Sequence, residues 1–205
     1  MRDIDIDVRR KDQALLRSRI DRSCKRPVIF FFASAMFWLL AGTGLGILGS
    51  IKLHSPGFLG GWEWLTFGRV RPAHLNLVIY GWSSMAAVGT LLWLQARLAR
   101  TELPWANALI AVGVIWNLAI AGGLIVLLGG HFSSVEWLEF PTITAALLGS
   151  GFLVVMVCSM VMFSRRSSRH IYVSQWYIFG ALWWFPILYL LGNLTIHGGQ
   201  ATGVA

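Results

Sequence analysis

Five stretches of this chain contain no Asp, Glu, Lys or Arg: residues 27–51, 72–96, 103–130, 141–164 and 171–196. At about 1.5 Å of rise per residue, each is long enough as a helix to cross roughly 30 Å of hydrocarbon. Hydrocarbon offers no water to backbone N–H and C=O groups, so a spanning segment is either a helix or a strand of a closed barrel. None of the five alternates strictly between apolar and polar residues, as a barrel strand would. The expected fold is therefore all-α, a polytopic membrane helix bundle with five transmembrane helices. Residues 27–205 would form the membrane domain, with spans at 27–51, 72–96, 103–130, 141–164 and 171–196, and residues 1–26 a basic tail.

Composition agrees with that expectation. Charged residues make up 13% of the chain, about half the usual share of a soluble domain, and they fall almost entirely between the apolar stretches. The net charge of +8 flanks spans and does not point to nucleic acid. Lys and Arg also set the orientation. Nine precede residue 27, Arg97 and Arg100 lie in the second connection, and Arg165, Arg166 and Arg169 in the fourth. The opposite side holds Lys52, Arg69 and Arg71. The N-terminus is expected in the cytoplasm and the C-terminus on the periplasmic side of a bacterial inner membrane. The first apolar run is too long for a signal-peptide core and reads as a retained span.

Of the 11 tryptophans, Trp62, Trp64 and Trp137 fall near the outer interface and Trp93, Trp105 and Trp176 near the inner one, an aromatic belt. Trp183 and Trp184 are expected to pack between helices. Gly42-Thr-Gly-Leu-Gly and Gly149-Ser-Gly allow close helix approach. Pro186 can kink the last span, with Asn193 placed to satisfy freed backbone groups. Cys24 lies in the basic tail and Cys158 within a span, so different depths and no disulfide are expected. In the tail, Leu15, Leu16 and Ile20 recur at helical spacing. Both an amphipathic surface helix on anionic lipid and a solvated, partly disordered tail are compatible with this pattern.

The one histidine inside a span is His74, in Trp64-Leu-Thr-Phe-Gly-Arg-Val-Arg-Pro-Ala-His. Ionisable residues at membrane depth are candidate functional residues. A neutral imidazole there can ligate a metal or haem iron, and Arg69 and Arg71 would suit haem propionates. A histidine held only by a backbone carbonyl is the alternative. His54, His131, His170 and His197 all fall at or beyond span ends, and His131 is the nearest second-ligand candidate by side. Glu136 and Glu139 read as solvated loop carboxylates, or as oxygen ligands for calcium beside propionates.

The run 64–74 closely resembles the start of the second helix in subunit I of cbb-type cytochrome c oxidases, the C family of haem–copper oxidases. His170-Ile-Tyr-Val-Ser-Gln-Trp-Tyr is similar to that family's fifth-helix start, and Val135-Glu-Trp-Leu to its third outer loop. The resemblance runs from about Ile29 onward. It implies five helices of a larger twelve-helix fold, with His74 an axial ligand of a low-spin haem b, Arg69 and Arg71 near its propionates, and Glu136 a calcium-associated carboxylate. It also implies a complete subunit that carries electrons from cytochrome c to dioxygen and pumps protons, using high-spin haem and copper besides haem b. The implied partners are the remaining helices of subunit I, c-type cytochrome subunits and the lipid bilayer.

The family's copper and high-spin haem ligands lie on later helices, beyond Ala205. The chain alone is expected to be inactive in dioxygen reduction, as an N-terminal portion or one product of a split gene. Two alternatives are part of a nitric oxide reductase large subunit and a non-catalytic membrane haem-b anchor.

Overall fold

The computed structural model describes residues 2–167 and 170–202, with the side chains of 6–167 and 170–196. It contains five helices long and apolar enough to cross a membrane, and no strand among the described residues. They are α1 (Arg2–His54), α2 (Phe67–Ala99), α3 (Ala106–Leu128), α4 (Thr142–Ser164) and α5 (Val173–Thr202). A single 3₁₀ turn, Glu63–Leu65, sits in the α1–α2 connection.

Tail and first span form one rod. α1 has 53 residues and Pro27 lies inside it without ending it, so it extends about 80 Å at 1.5 Å per residue. The tail is neither a separate surface helix nor irregular chain, because it continues the axis of the span. Only its last part is packed, with Ile20 and Cys24 buried in the same core as the spans.

The helices meet through small residues and aromatic rings. α1 packs along α2 and α3, α4 lies on α3 and α5, and α2 also reaches α4 and α5. An aromatic chain crosses the bundle. Trp116 on α3 meets Phe152 on α4 at 4.3 Å between ring centroids, Phe152 meets Phe185 on α5 at 4.6 Å, and Tyr189 on α5 meets Tyr80 on α2 at 5.2 Å. Each edge-on pair contributes about 0.5–1.5 kcal/mol beyond area burial. Trp183 is half-buried, but Trp184 is 64% exposed, so it lies outside the packed interior where the apolar pattern had placed it.

Within α2, Leu77–Ser83 winds as a π-helix. Wide turns of this kind displace backbone carbonyls from their usual partners, and the Trp116 indole donates to the Tyr80 carbonyl at 3.1 Å. In the same segment Gly81 faces Trp38 of α1, whose indole N–H donates to Asn117 of α3 at 2.7 Å. Asn117 also donates to Ser34 at 3.0 Å, so α1 and α3 are cross-linked by side-chain hydrogen bonds. On α5, Asn193 donates to its own Tyr189 carbonyl at 2.9 Å. It does not serve the carbonyl that Pro186 frees, which lies four residues before the proline.

A Cβ at Gly81 would lie 2.6 Å from Trp38 Cβ and 2.7 Å from its Cγ, atoms too close to the backbone to swing away. Gly81→Ala should therefore force α1 and α2 apart and destabilise the chain by about 1–3 kcal/mol. Gly44→Ala, with nothing within 4 Å of the added carbon, should change stability little. Unfolding midpoints in detergent micelles compare the two.

Candidate functional site

His74 lies near the start of α2, one helical turn beyond Val70 and just before the π segment. Its ring is half-buried against α1. Nδ1 lies 2.7 Å from the Gly42 carbonyl oxygen, and a carbonyl only accepts, so Nδ1 carries the proton. Nε2 has no partner among the described residues. This contact depends on Gly46, one turn beyond Gly42. A Cβ there would lie 2.8 Å from the ring's Cε1 and 2.9 Å from Nδ1. The glycine run thus makes room for an imidazole as well as for a helix. One ring nitrogen fixed by a backbone carbonyl and the other free is the usual arrangement of a metal-ligating histidine.

Arg69 and Arg71 take different partners. Arg69 is half-buried and donates from Nη1 to the Leu128 carbonyl at 3.1 Å, at the C-terminal end of α3. Arg71 pairs with Glu136 at 2.7 Å, with the two side chains 52% and 49% exposed. Arg71 and Glu136 are therefore brought together across the third connection, while His74 sits deeper, on the face toward α1.

Glu139 departs from its reading as a solvated loop carboxylate. It is 4% exposed, and its Oε2 accepts from Asn76 Nδ2 at 2.8 Å. Asn76 is itself fully buried and also donates to the Pro72 carbonyl at 2.8 Å. One turn on, the Tyr80 hydroxyl donates to the Trp137 carbonyl. Trp137 has φ of 72°, the left-handed region that non-glycine residues rarely occupy. Asn76 and Tyr80 thus clamp the loop that carries Glu136 and Glu139 onto α2. The sequence signal for Asn76 was a polar amide two residues after His74 inside an apolar run. Tyr80 carried no distinguishing pattern.

The other histidines stay apart from this site. His54 bonds to the Ser50 carbonyl at 3.1 Å on its own helix, His131 is exposed in the loop after α3, and His170 stacks edge-on against Tyr172 at 4.8 Å. The side chain of His197 lies outside the described residues. Among the described residues no three His, Cys, Asp or Glu side chains gather around one possible ion position. The cysteines do not lie at different depths. Both are buried and free. Ser23, beside Cys24, accepts from Leu103 N–H at 2.9 Å, and Cys158 reaches the Pro104 carbonyl at 3.8 Å, so both pack at the same short connection.

The comparisons with known proteins point to one family. A family model described as cytochrome c and quinol oxidase polypeptide I matches residues 26–201. The chain is 29% identical over 168 residues to the cbb3-type cytochrome c oxidase subunit CcoN1 of Stutzerimonas stutzeri, covering 81% of this chain and 35% of that protein. It is 25% identical over 170 residues to a cytochrome c oxidase subunit 1 homolog of Azorhizobium caulinodans, covering 79% and 29% respectively. A bacteroid cytochrome c oxidase subunit 1 homolog of Bradyrhizobium diazoefficiens is 25% identical over 175 residues, 82% of this chain and 30% of the relative. The chain spans about a third of the length of these relatives.

The two carboxylates of the third connection should respond very differently to loss of their partners. Asn76→Ala leaves a buried carboxylate without its donor and should cost about 1.5–3 kcal/mol. Arg71→Gln breaks an exposed ion pair and should cost no more than about 1 kcal/mol. Denaturant midpoints of the two variants, measured side by side, check the order.

Proposed function

The chain belongs to the cytochrome c and quinol oxidase polypeptide I family, and on that basis we propose that it forms the first five helices of a cbb-type oxidase subunit I. In that role it holds one side of a low-spin haem b in a multi-pass membrane protein. The observation that carries this reading is His74, with Nδ1 bound to the Gly42 carbonyl and Nε2 free. The donor set fits a haem iron. The ligand would be an imidazole oriented by a carbonyl on Nδ1, seated against Gly46 and preceded by two guanidiniums on its own helix. When bound, a b-type haem supplies one-electron transfer between ferrous and ferric iron.

Each residue has a distinct task in this reading. The Gly42 carbonyl orients the ring and raises the basicity of Nε2. Arg69 and Arg71 offer guanidinium donors to propionates near the outer interface. The Arg69 guanidinium keeps donors beyond the one used on Leu128, whereas Arg71 shares its charge with Glu136. Asn76 and Tyr80 hold the outer loop over α2. Glu136 supplies one carboxylate of a calcium site. Its partner is the Arg71 guanidinium, and among the described residues no three such ligands gather there, so the further ligands of such a site would come from other parts of the complex.

The exposed apolar residues of α1 and α5, such as Phe37, Leu40, Leu188 and Leu194, would meet lipid or the remaining helices of the subunit. In this reading those helices would supply the other haem ligand, the high-spin haem site and the copper site, and the five helices alone would not reduce dioxygen. c-type cytochrome subunits are the proposed electron donors. The charge asymmetry supports a cytoplasmic N-terminus in a bacterial inner membrane. The cytochrome c oxidase names of all three relatives described above support an oxidase over a nitric oxide reductase.

In the complete subunit, His74→Ala should abolish the low-spin haem b bands of the reduced-minus-oxidised spectrum while membrane insertion persists. Gly46→Ala, which keeps the imidazole but crowds it, should leave a reduced or shifted signal. An unchanged spectrum in the His74 variant would show a packing histidine and remove the basis of the proposal.

Fixed positive charge near a haem favours its reduced form. Arg69→Gln should therefore lower the low-spin haem midpoint potential, and Arg71→Gln should lower it less because Glu136 already offsets that charge. Arg165→Gln, at the opposite end, should leave it unchanged. Redox titration of the three variants settles the assignment, and equal potentials in all three would refute a propionate role.

A further inference from the structure

We propose that the basic end of the bundle, where the α1 tail crosses the end of α2, is a binding site for the phosphate headgroup of an anionic phospholipid. A cavity of about 350 Å³ opens at that junction, with Arg17 from α1 and Arg97 and Arg100 from the end of α2 on its walls. Its apolar floor is Leu16, Ile20 and Leu98, and Tyr172, just ahead of α5, closes one side. Cationic walls over an apolar floor suit a phosphate attached to acyl chains.

Among the described residues that charge is compensated only in part. Asp21 is the carboxylate at this junction, and both of its oxygens are engaged. Oδ2 accepts from Arg97 at 2.8 Å and Oδ1 from the Trp93 indole at 3.1 Å. Arg17 and Arg100 have no ion-pair partner among the described residues. A guanidinium offers a planar pair of donors that matches two phosphate oxygens, and basic pockets between membrane helices are suited to anionic headgroups.

Depth selects a lipid over a soluble anion. Arg97 is the first charge after the uncharged run 72–96, so the cavity lies where hydrocarbon gives way to headgroups. The exposed indole of Trp93 lies beside it, one turn before Arg97, as expected of an interfacial tryptophan. A second cavity of about 640 Å³ shares Gln13, Arg17 and Arg97 with the first and adds Arg10. Arg17 and Arg97 thus stand between two lobes, each with a further arginine. Four guanidiniums on the walls of two cavities that share Arg17 and Arg97, with Asp21 on the wall of the second, suit a headgroup with two phosphates, so diphosphatidylglycerol should bind more tightly than phosphatidylglycerol.

The test is titration of the purified chain in neutral detergent with diphosphatidylglycerol, phosphatidylglycerol, phosphatidylcholine or inorganic pyrophosphate, read by native mass spectrometry. Saturable binding in the order diphosphatidylglycerol, phosphatidylglycerol, phosphatidylcholine is expected. Arg17→Gln and Arg100→Gln should each weaken the first roughly fivefold, the effect of about 1 kcal/mol per basic residue near a lipid surface. Arg19→Gln, an equal charge loss on the same helix that lines neither cavity, should have no effect. Leu16→Trp, which fills the cavity without changing charge, should also weaken binding. Circular dichroism confirms that each variant keeps its helices. The proposal is overturned if the Arg19 variant loses as much as the Arg17 variant, or if Leu16→Trp binds normally. Pyrophosphate binding as tight as the lipid would assign the site to a soluble anion, and displacement of the lipid by poly-glutamate would assign it to an acidic protein. Either result also overturns it.

Discussion

The hydrogen bond from His74 to the Gly42 carbonyl sets the geometry on which the rest of this half of the bundle depends. A ring nitrogen can reach a carbonyl of a neighbouring helix only if the two backbones approach closely, and Gly46 permits that approach by presenting no side chain to the ring. In hydrocarbon, helices gain little from burying apolar surface against one another, so close packing and interhelical hydrogen bonds carry the association. The α1–α2 seam uses both. The same contact also fixes the orientation of the imidazole.

Around that seam, polar side chains stabilise in proportion to how well they are satisfied. Arg71 and Glu136 form a short but half-exposed pair, weakened by competing water. Asn76 and Glu139 form a buried contact in which the carboxylate has one protein donor. The π segment adds a third device. Its wide turn leaves the Tyr80 carbonyl to the Trp116 indole, while the Tyr80 hydroxyl holds the loop at Trp137. A single residue thereby couples α2 to α3 through its backbone and to the α3–α4 loop through its side chain. The strained backbone at Trp137 persists because these contacts over-determine it.

The opposite end is organised by charge. Asp21 draws Arg97 and Trp93 onto α1, and the short α2–α3 connection is tied to Ser23. Arginines beyond those contacts are left facing the junction of the tail with α2. The tail continues the helix of the first span across Pro27, which has no N–H to give the Ser23 carbonyl and so removes one rung of the ladder without ending the helix.

Much of this protein was legible in its sequence because the bilayer is a severe solvent. Five uncharged runs of sufficient length admit few other outcomes, so the all-α bundle and its five apolar helices follow from composition and length. His74 stood out for the same reason, as an ionisable group where such groups are costly, and Gly46, Gly149 and Gly151 of the glycine runs are close contacts as read, whereas Gly44 is not. What the sequence could not decide was direction and partnership. Periodicity places a residue on a face but does not say which neighbour that face meets, so Glu139 read as solvated until Asn76 was found beneath it. Cys24 and Cys158 read as separated until both were seen at one connection. Trp184 read as internal although its face is left open. Long-range pairings such as Trp38 with Asn117, or Arg69 with the end of α3, join residues far apart in the chain. They exist only because five helices of known polarity pack in one particular arrangement, and that arrangement is a property of the tertiary structure alone.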